Sequence, residues 1–455
     1  MSVSYDVVVI GGGPAGTVAA VAAARNGANV ALIERYGVLG GSLTAALVAP
    51  MMGFHAGDLQ VVRGIPQEIV DRLVALGASP GHVPDPIDFC YTVTPFDYEG
   101  LKRVLLEMVV GSGVDLWLHA VLVDAQAQGG RIRQARVWHK GGTDVLEAAV
   151  WVDASGDGDL SAAAGAPFEV GRPQDGRPQP MTLMLVLGGV DWEAVMAHLA
   201  GHDEDLQHGQ GVHERIDPRW LRSLRVRGFA GFRGLVAQAR ERGEWSIPRD
   251  RLLVFEGVRP GEAVANTTRV VDRIAVRGRD LMAAEVEGRA QAIQVVEFLR
   301  RRIPGFAGAY LQQTPAQIGV RESRRVLGDY VLTAEDILSG RKFADAVACG
   351  GYPIDLHDPA SLRLVAKRLP PGDYYSIPYR CLLPRNLDNA LTAGRCISAT
   401  HEAFAAFRVS AIAMAVGQAA GMAAALAAAA GIPPRRVDPA ALRRALQEQG
   451  AFLPP

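Results

Sequence analysis

The chain is poor in the features that mark several functional classes. Its 455 residues include only four cysteines, Cys90, Cys349, Cys381 and Cys396. No two of them form CxxC, which argues against a structural zinc site or an iron–sulfur cluster. So few thiols in a long chain suit a reducing compartment. An excess of charge of either sign is also missing: 47 basic residues face 48 acidic ones, a formal net charge of −1. That balance leaves no electrostatic footprint for nucleic acid or an anionic membrane. The opening residues, MSVSYDVVVIGG, carry no basic segment and no small-residue cleavage site, so they do not read as a signal peptide. A cytoplasmic location is expected.

What is present begins at Tyr5. The run Tyr5–Ile10 is rich in β-branched residues and predicts a strand buried on both faces of a parallel sheet. Gly11, Gly13 and Gly16 follow at once as GxGxxG, and residues 17–28 predict a helix ending near Asn26 and Gly27. A second strand, Asn29–Ile33, ends at Glu34. Gly11 permits a tight turn, Gly13 lets backbone approach a pyrophosphate, and Gly16 lets the helix pack on the strand. The Glu34 carboxylate suits two ribose hydroxyls and repels a 2′-phosphate, which excludes NADP.

A second glycine patch, Gly37 and Gly40-Gly41-Ser42, follows Arg35. NAD needs no such patch. FAD does, because its isoalloxazine extends past the pyrophosphate and needs backbone walls. Residues 150–159, VWVDASGDGD, add a strand and a loop of small residues and carboxylates, expected on the cofactor side rather than as a simple helix cap.

The long apolar run near the C-terminus predicts one helix over Ala403–Ala429, after a short strand at 389–393. Its length is enough for a bilayer. Ala and Gly dominate it, Gln418 interrupts it, and no aromatic or basic anchors frame both ends, so no membrane span is expected. The polar stretch from His401 to Ser410 is expected to face the flavin, where a helix start stabilises the anionic reduced form.

With these segments, and with GVRESRRVLGDYVLTAEDI and YYSIPYRCLLP, the chain resembles the FAD-dependent oxidoreductase family, relatives of the glutathione-reductase-like two-dinucleotide-fold flavoproteins. The resemblance spans nearly the whole chain. It implies FAD contacts from Gly11, Gly13, Gly16, Glu34, Arg35, Gly40, Gly41, Asp157, Gly394, Arg395 and the start of the C-terminal helix at Val409. Pro14, Ala15 and Ser42 lie within the same motifs and are counted with them. One departure stands out. Flavoproteins of this superfamily often carry Gly-Asp at the turn that touches the ribityl chain, whereas this chain has Gly394-Arg395, whose cation suits the pyrophosphate.

The expected fold is α/β. A Rossmann-like FAD-binding domain (parallel sheet, helices and a β-meander) is assembled from 1–50, 97–170 and 385–430. An inserted α+β substrate or cap domain takes 51–96 and 171–384, and 431–455 is a C-terminal helix and tail. Residues 97–112 predict an amphipathic helix, and 114–150 several strands with a turn at Gly129-Gly130.

His401 is the first candidate for acid–base work, with hydrogen bonding to FAD or helix capping as the competing role. Glu402 orients it or pairs with Arg408, the third candidate beside Arg321. Arg321 and Arg324 suit a substrate carboxylate or an internal ion pair with Glu322 or Asp329. Tyr374, Tyr375 and Tyr379 suit either a pocket or the core, His55 lies in a Gly-flanked segment expected near the flavin, and Cys396 suits a buried position. His198, His202, His208 and His213 are irregularly spaced and read as a polar loop rather than a metal site.

The expected activity is hydride transfer between a small organic substrate and flavin N5. Alternatives are an NAD(P)H-using reductase or monooxygenase, or an electron-transfer subunit. The expected partners are a small-molecule substrate and an external electron donor or acceptor, with room for a homo-oligomer and none for nucleic acid.

Overall fold

The first apolar run becomes the middle of a sheet because its side chains are buried on both faces. In the computed structural model, which describes residues 2–207, 212, 217–362 and 364–455, strand β1 (Ser2–Ile10) has Val7, Val8 and Val9 fully buried. Helix α1 (Pro14–Arg25) starts with Pro14 in its first turn, where a missing N–H costs nothing. Gly27, at φ +85°, turns the chain into β2 (Val30–Ile33), which pairs parallel with β1. Asp97 caps helix α2 (Tyr98–Gly111), its side chain accepting from Gly100 N at 2.8 Å. The chain then forms β3 (Asp115–Trp117), β4 (Val121–Gln128), β5 (Arg131–His139) and β6 (Gly142–Asp153). Gly129 and Gly130 both have positive φ, as a tight hairpin between β4 and β5 demands. The sheet order is β3-β2-β1-β6-β5-β4, parallel across the first four strands and antiparallel through the meander.

A second sheet is wholly antiparallel. Strands β7 (Leu185–Gly188), β8 (Gly228–Gly231), β9 (Leu252–Glu256) and β10 (Ala263–Ala265), helix α3 (Gly278–Arg302) and strand β11 (Tyr310–Gln313) build it in the order β8-β9-β10-β7-β11. Its own core includes Trp192, Phe229, Phe232, Trp245, Phe298 and Phe306. This unit is narrower than the expected 171–384. Met51, Phe54, Ile69 and Phe96 from 51–96, and Leu332, Phe343, Ile354 and Tyr375 further on, pack into the nucleotide-side core instead.

Strand β12 (Ala390–Thr392) returns to the first sheet, parallel to β6. The single helix expected over 403–429 is two. Helix α4 (His401–Phe407) is capped by Thr400 and ends at Arg408. Val409 is extended, at φ −67° and ψ 147°, and α5 (Ser410–Ala430) starts afresh. Helix α5 is long and apolar enough to cross a membrane, yet most of it is buried within the fold. The small residues explain how. A Cβ on Gly417 or Gly421 would lie 2.1 Å from the carbonyl oxygen of Ala15 or Ala19, so the helix axes of α5 and α1 approach to backbone contact. Gln418 has a local task, accepting at 3.0 Å from Ile65 N at the start of helix Ile65–Ala75.

Candidate cofactor and active site

A cavity of about 380 Å³ lies where the carboxyl ends of β1, β2, β6 and β12 meet the antiparallel sheet. That is where open α/β sheets bind ligands. Two helices start at its wall without a side-chain cap: α1 after Gly13 and α5 after Val409. Their first N–H groups lack partners within the helix and carry partial positive charge.

The glycines divide the labour physically. A Cβ on Gly13 would meet nothing within 4 Å, so open space stands over the backbone there. A Cβ on Gly16 would fall 1.8 Å from the Gly11 carbonyl oxygen, and one on Gly41 2.8 Å from Gly13 Cα. Gly16, and Gly40 at φ +101° with Thr44 Cγ2 2.8 Å from where a Cβ would stand, are packing and turn positions off the cavity wall, while Gly11, Gly13, Pro14, Ala15, Gly41 and Ser42 line it. Glu34 lines it as well, its oxygens accepting from Gly12 N at 2.7 Å and Tyr36 N at 2.8 Å. Burial raises its pKa, and those backbone bonds partly oppose the rise. Arg35 stacks 5.0 Å from the Tyr36 ring centre and donates to Gln317 Oε1 at 2.7 Å.

The loop after β6 does face the cavity, through Ala154, Ser155, Gly156 and Asp159. Asp157, expected at the cofactor, sits behind it and accepts from Arg395 at 2.7 Å. Burial alone would raise the Asp157 pKa; Arg395, Ser323 and Arg35 more than reverse that and hold it low. Asp157 and Ser323 thus fix the Arg395 guanidinium beside the cavity, and Gly394 lines it next door. An uncapped helix start with open space over Gly13, the Glu34 carboxylate on the wall and a second uncapped helix start further along fit an extended dinucleotide with a flavin end. The donors present fit FAD.

The other half of the cavity is floored by Leu253 and Phe255 of β9, with Met184 and Tyr352 beside them. Here the charged and titratable groups include Arg249, Asp250, Arg251, Arg269, Arg321, Arg408 and the pair Asp355–His357. Arg408 Nη2 donates to Asp355 Oδ2 at 2.9 Å and to its carbonyl at 3.0 Å. His357 Nε2 stands 3.5 Å from Asp355 Oδ1, and among the described residues its other ring nitrogen has no hydrogen-bond partner. Burial and the charge of Arg321 push the His357 pKa down to about 3, so the ring is neutral. Burial works the other way on Asp355, but His357, Arg408 and Arg321 keep it well below the carboxylate range.

Several expected residues lie elsewhere. His401 is buried off the cavity, its Nδ1 2.8 Å from Glu322 Oε1, because the chain breaks after Phe407 and only Arg408, Val409, Ser410 and Ala413 of this region reach the wall. Glu402 is not its orienting partner; it faces Lys367 at 3.6 Å. Arg321 lines the cavity and donates to Pro180 O at 2.7 Å and Thr182 Oγ1 at 2.5 Å, not to Glu322 or Asp329. Arg324 ties the Asp157 carbonyl to Asp159. Tyr375 and Tyr379 are core residues bonded to Ala406 O and Pro434 O, Tyr374 packs on Phe452, and His55 packs edge-on to His82. Cys396 is buried and unpaired. His198 lies in a helix, paired with Asp205 and stacked on His202, while His208 and His213 lie outside the described residues. Sequence reasoning missed Arg249, Arg251, Arg269, Tyr352, Asp355 and His357. The charged triplet Arg249-Asp250-Arg251 directly before the apolar run of β9 was the one local signal available.

The family model described as FAD dependent oxidoreductase matches residues 6–446. Among solved structures, a geranylgeranyl bacteriochlorophyll reductase-like protein of Thermoplasma acidophilum is similar at 13% identity, over 99% of this chain and 85% of that one, with a TM-score of 0.50. A flavin-dependent brominase is similar at 15% identity, over 98% of this chain and 84% of that one, with a TM-score of 0.51. At such identities the likeness is one of fold. An uncharacterized protein from the nifH2 5′ region of Methanosarcina barkeri is 49% identical over 47 residues, 10% of this chain and 25% of that protein. The match therefore spans a quarter of that curated relative's length.

Proposed function

The chain belongs to the FAD-dependent oxidoreductase family, and from that premise we propose that it oxidises or reduces a small organic substrate held over β9, beside the start of α5. Bound FAD supplies the two-electron chemistry, accepting or giving hydride at its N5. The observation that carries this reading is the convergence of two uncapped helix starts on one cavity whose far half is walled by a separate sheet.

The chain's own residues have these roles. Gly11, Gly13 and the first turn of α1 hold the pyrophosphate, Glu34 the ribose, and Arg35 the adenosine end. Arg395, steadied by Asp157, adds charge near the pyrophosphate. The N–H groups opening α5 favour negative charge on the flavin edge. In place of His401, we assign proton handling to the open ring nitrogen of His357, Nδ1, with Asp355 and Arg408 orienting the ring. Apolar Met184, Leu253 and Phe255 keep water away. The arrangement of the glycine and acid motifs supports a relation to the glutathione-reductase-like flavoproteins, from whose usual Gly-Asp turn Gly394-Arg395 departs. Four buried unpaired cysteines support a cytoplasmic location, and Met282, Val286 and Ile293, exposed on one face of α3, support a homo-oligomer. The electron donor or acceptor of the second half-reaction is external.

The test is an anaerobic screen of organic acids, alcohols and amines for loss of flavin absorbance, run beside NADH. Bleaching by an organic compound, slowed by His357→Asn with FAD content unchanged, is the expected result. Rapid bleaching by NADH alone, with no organic donor or reoxidant found, would replace this reading with that of an electron-transfer protein.

A further inference from the structure

Three arginines in the substrate half of the cavity, Arg249 and Arg269 buried and Arg321 half-buried, have no counter-ion among the described residues. Arg249 is 8% exposed, Arg269 3%, and Arg321 lines the same wall. Among the described residues no carboxylate lies within ion-pair distance of any of them. Arg269 donates only to the carbonyls of Asp358 and Ser361, and its Nε is buried without a partner. Arg321 donates only to a carbonyl and a hydroxyl. The two neighbouring arginines are paired, Arg251 with Asp250 at 3.1 Å and Arg408 with Asp355 at 2.9 Å. Five guanidinium groups against two carboxylates leave this half of the cavity with three positive charges to neutralise.

Such an arrangement is costly in an empty protein. A buried charge without a partner loses hydration that nothing replaces, and neighbouring like charges add repulsion. Burial and the other arginines depress both Arg249, to about 9, and Arg321. The cost is recovered when an anion enters, because guanidinium forks match carboxylate and phosphate oxygens in pairs.

We propose that the substrate carries at least two negative charges on carboxylate or phosphate oxygens, bound by Arg249, Arg269 and Arg321, with its reacting carbon over the apolar floor between them and the flavin site. The proposal rests on the reading of this cavity as the active site. It also links binding to proton handling. Burial is the largest cause of the neutral state of His357 and Arg321 the second, so an anion on Arg321 raises the basicity of that ring in part, and only when substrate is present.

The test uses the FAD-loaded full chain with succinate, citrate, isophthalate, phenyl phosphate and the uncharged isophthalamide. Binding is read as a shift in the bound-flavin spectrum and a rise in thermal midpoint. At least one dianion is expected to bind saturably and isophthalamide not at all; preference for isophthalate or phenyl phosphate separates carboxylate from phosphate recognition. Arg249→Met and Arg321→Met should each weaken that binding about tenfold or more, as loss of a charged hydrogen-bond partner does. Arg301→Met, on an exposed face of α3, should leave it unchanged. A second readout needs no ligand: in anion-free buffer Arg249→Met should keep or raise the thermal midpoint, since it removes an unpaired buried charge. Failure of every dianion to bind, equal binding by isophthalamide, or a marked loss of stability in Arg249→Met would overturn the proposal. Flavin absorbance separates the two failures: FAD present without anion binding defeats this inference alone, and no FAD uptake defeats the reading beneath it.

Discussion

Gly13 and Gly16 stand three positions apart in one motif, yet they answer to different constraints. At Gly13 the backbone φ is −69°, which alanine accepts, and a Cβ would point into open space. Gly13→Ala should therefore change the stability of the FAD-free protein by no more than about 1 kcal/mol while lowering FAD affinity at least about tenfold. Gly16→Ala drives a methyl into the Gly11 carbonyl and should fail at folding. Thermal midpoints of the apoproteins, set beside FAD content by absorbance, separate the two. His357 makes a second prediction. Its folded pKa of about 3 lies below the 6.5 of an ordinary histidine. Between those values the unfolded chain holds a proton that the folded chain refuses, so stability falls as pH drops through that window, by at most about 1.4 kcal/mol per pH unit. His82, pushed down to about 4, acts in the same direction. The diagnostic is thus the difference between wild type and His357→Asn, which should lose stability less steeply below pH 6.5. At this scale the sequence was readable where a function is written in adjacent residues, as in Gly11–Gly16 and Glu34. Arg249, Arg269, Arg321 and His357 come from segments far apart in the chain, and no spacing rule joins them.

Among the elements, α5 shows what composition can and cannot say. Small residues at 417 and 421 suit a membrane dimer, a helix on a sheet or, as found, a helix against another helix that also has alanine every fourth residue. Only the partner α1 decides between them. Gly421→Ala should cost roughly 1–3 kcal/mol by overpacking, read as a lower urea midpoint. Gly278→Ala, at the first residue of α3 with nothing within 4 Å, should be neutral or stabilising by up to about 1 kcal/mol. Equal effects at both sites would contradict the close α1–α5 contact. The break at Arg408–Val409 was not legible, because every residue from 401 to 430 tolerates a helix. Its consequence is large: it takes His401 off the cavity and delivers an uncapped helix start, with Arg408, to it.

At the scale of the molecule, the parallel sheet, the antiparallel sheet and the cavity at their junction follow from the alternation of buried runs, glycine turns and amphipathic helices. The nucleotide half was foreseeable because its strand, turn, helix and acid occur in order. The extent of the second unit was not, because residues 332–383 carry the same mixture of strands and charges yet bury their apolar side chains in the first core. In the proposed arrangement one bound dinucleotide would lie across the cavity at that junction. Its direct measurement is the visible spectrum of the purified chain, followed by chromatography of the flavin released by heat. The arrangement of Gly13, Glu34, Arg395 and α5 predicts flavin absorbance with about one FAD released intact per chain, since both the adenosine and flavin ends have their sites. A colourless protein that takes up no FAD on reconstitution would contradict the account, as would a chain that holds FMN in its place.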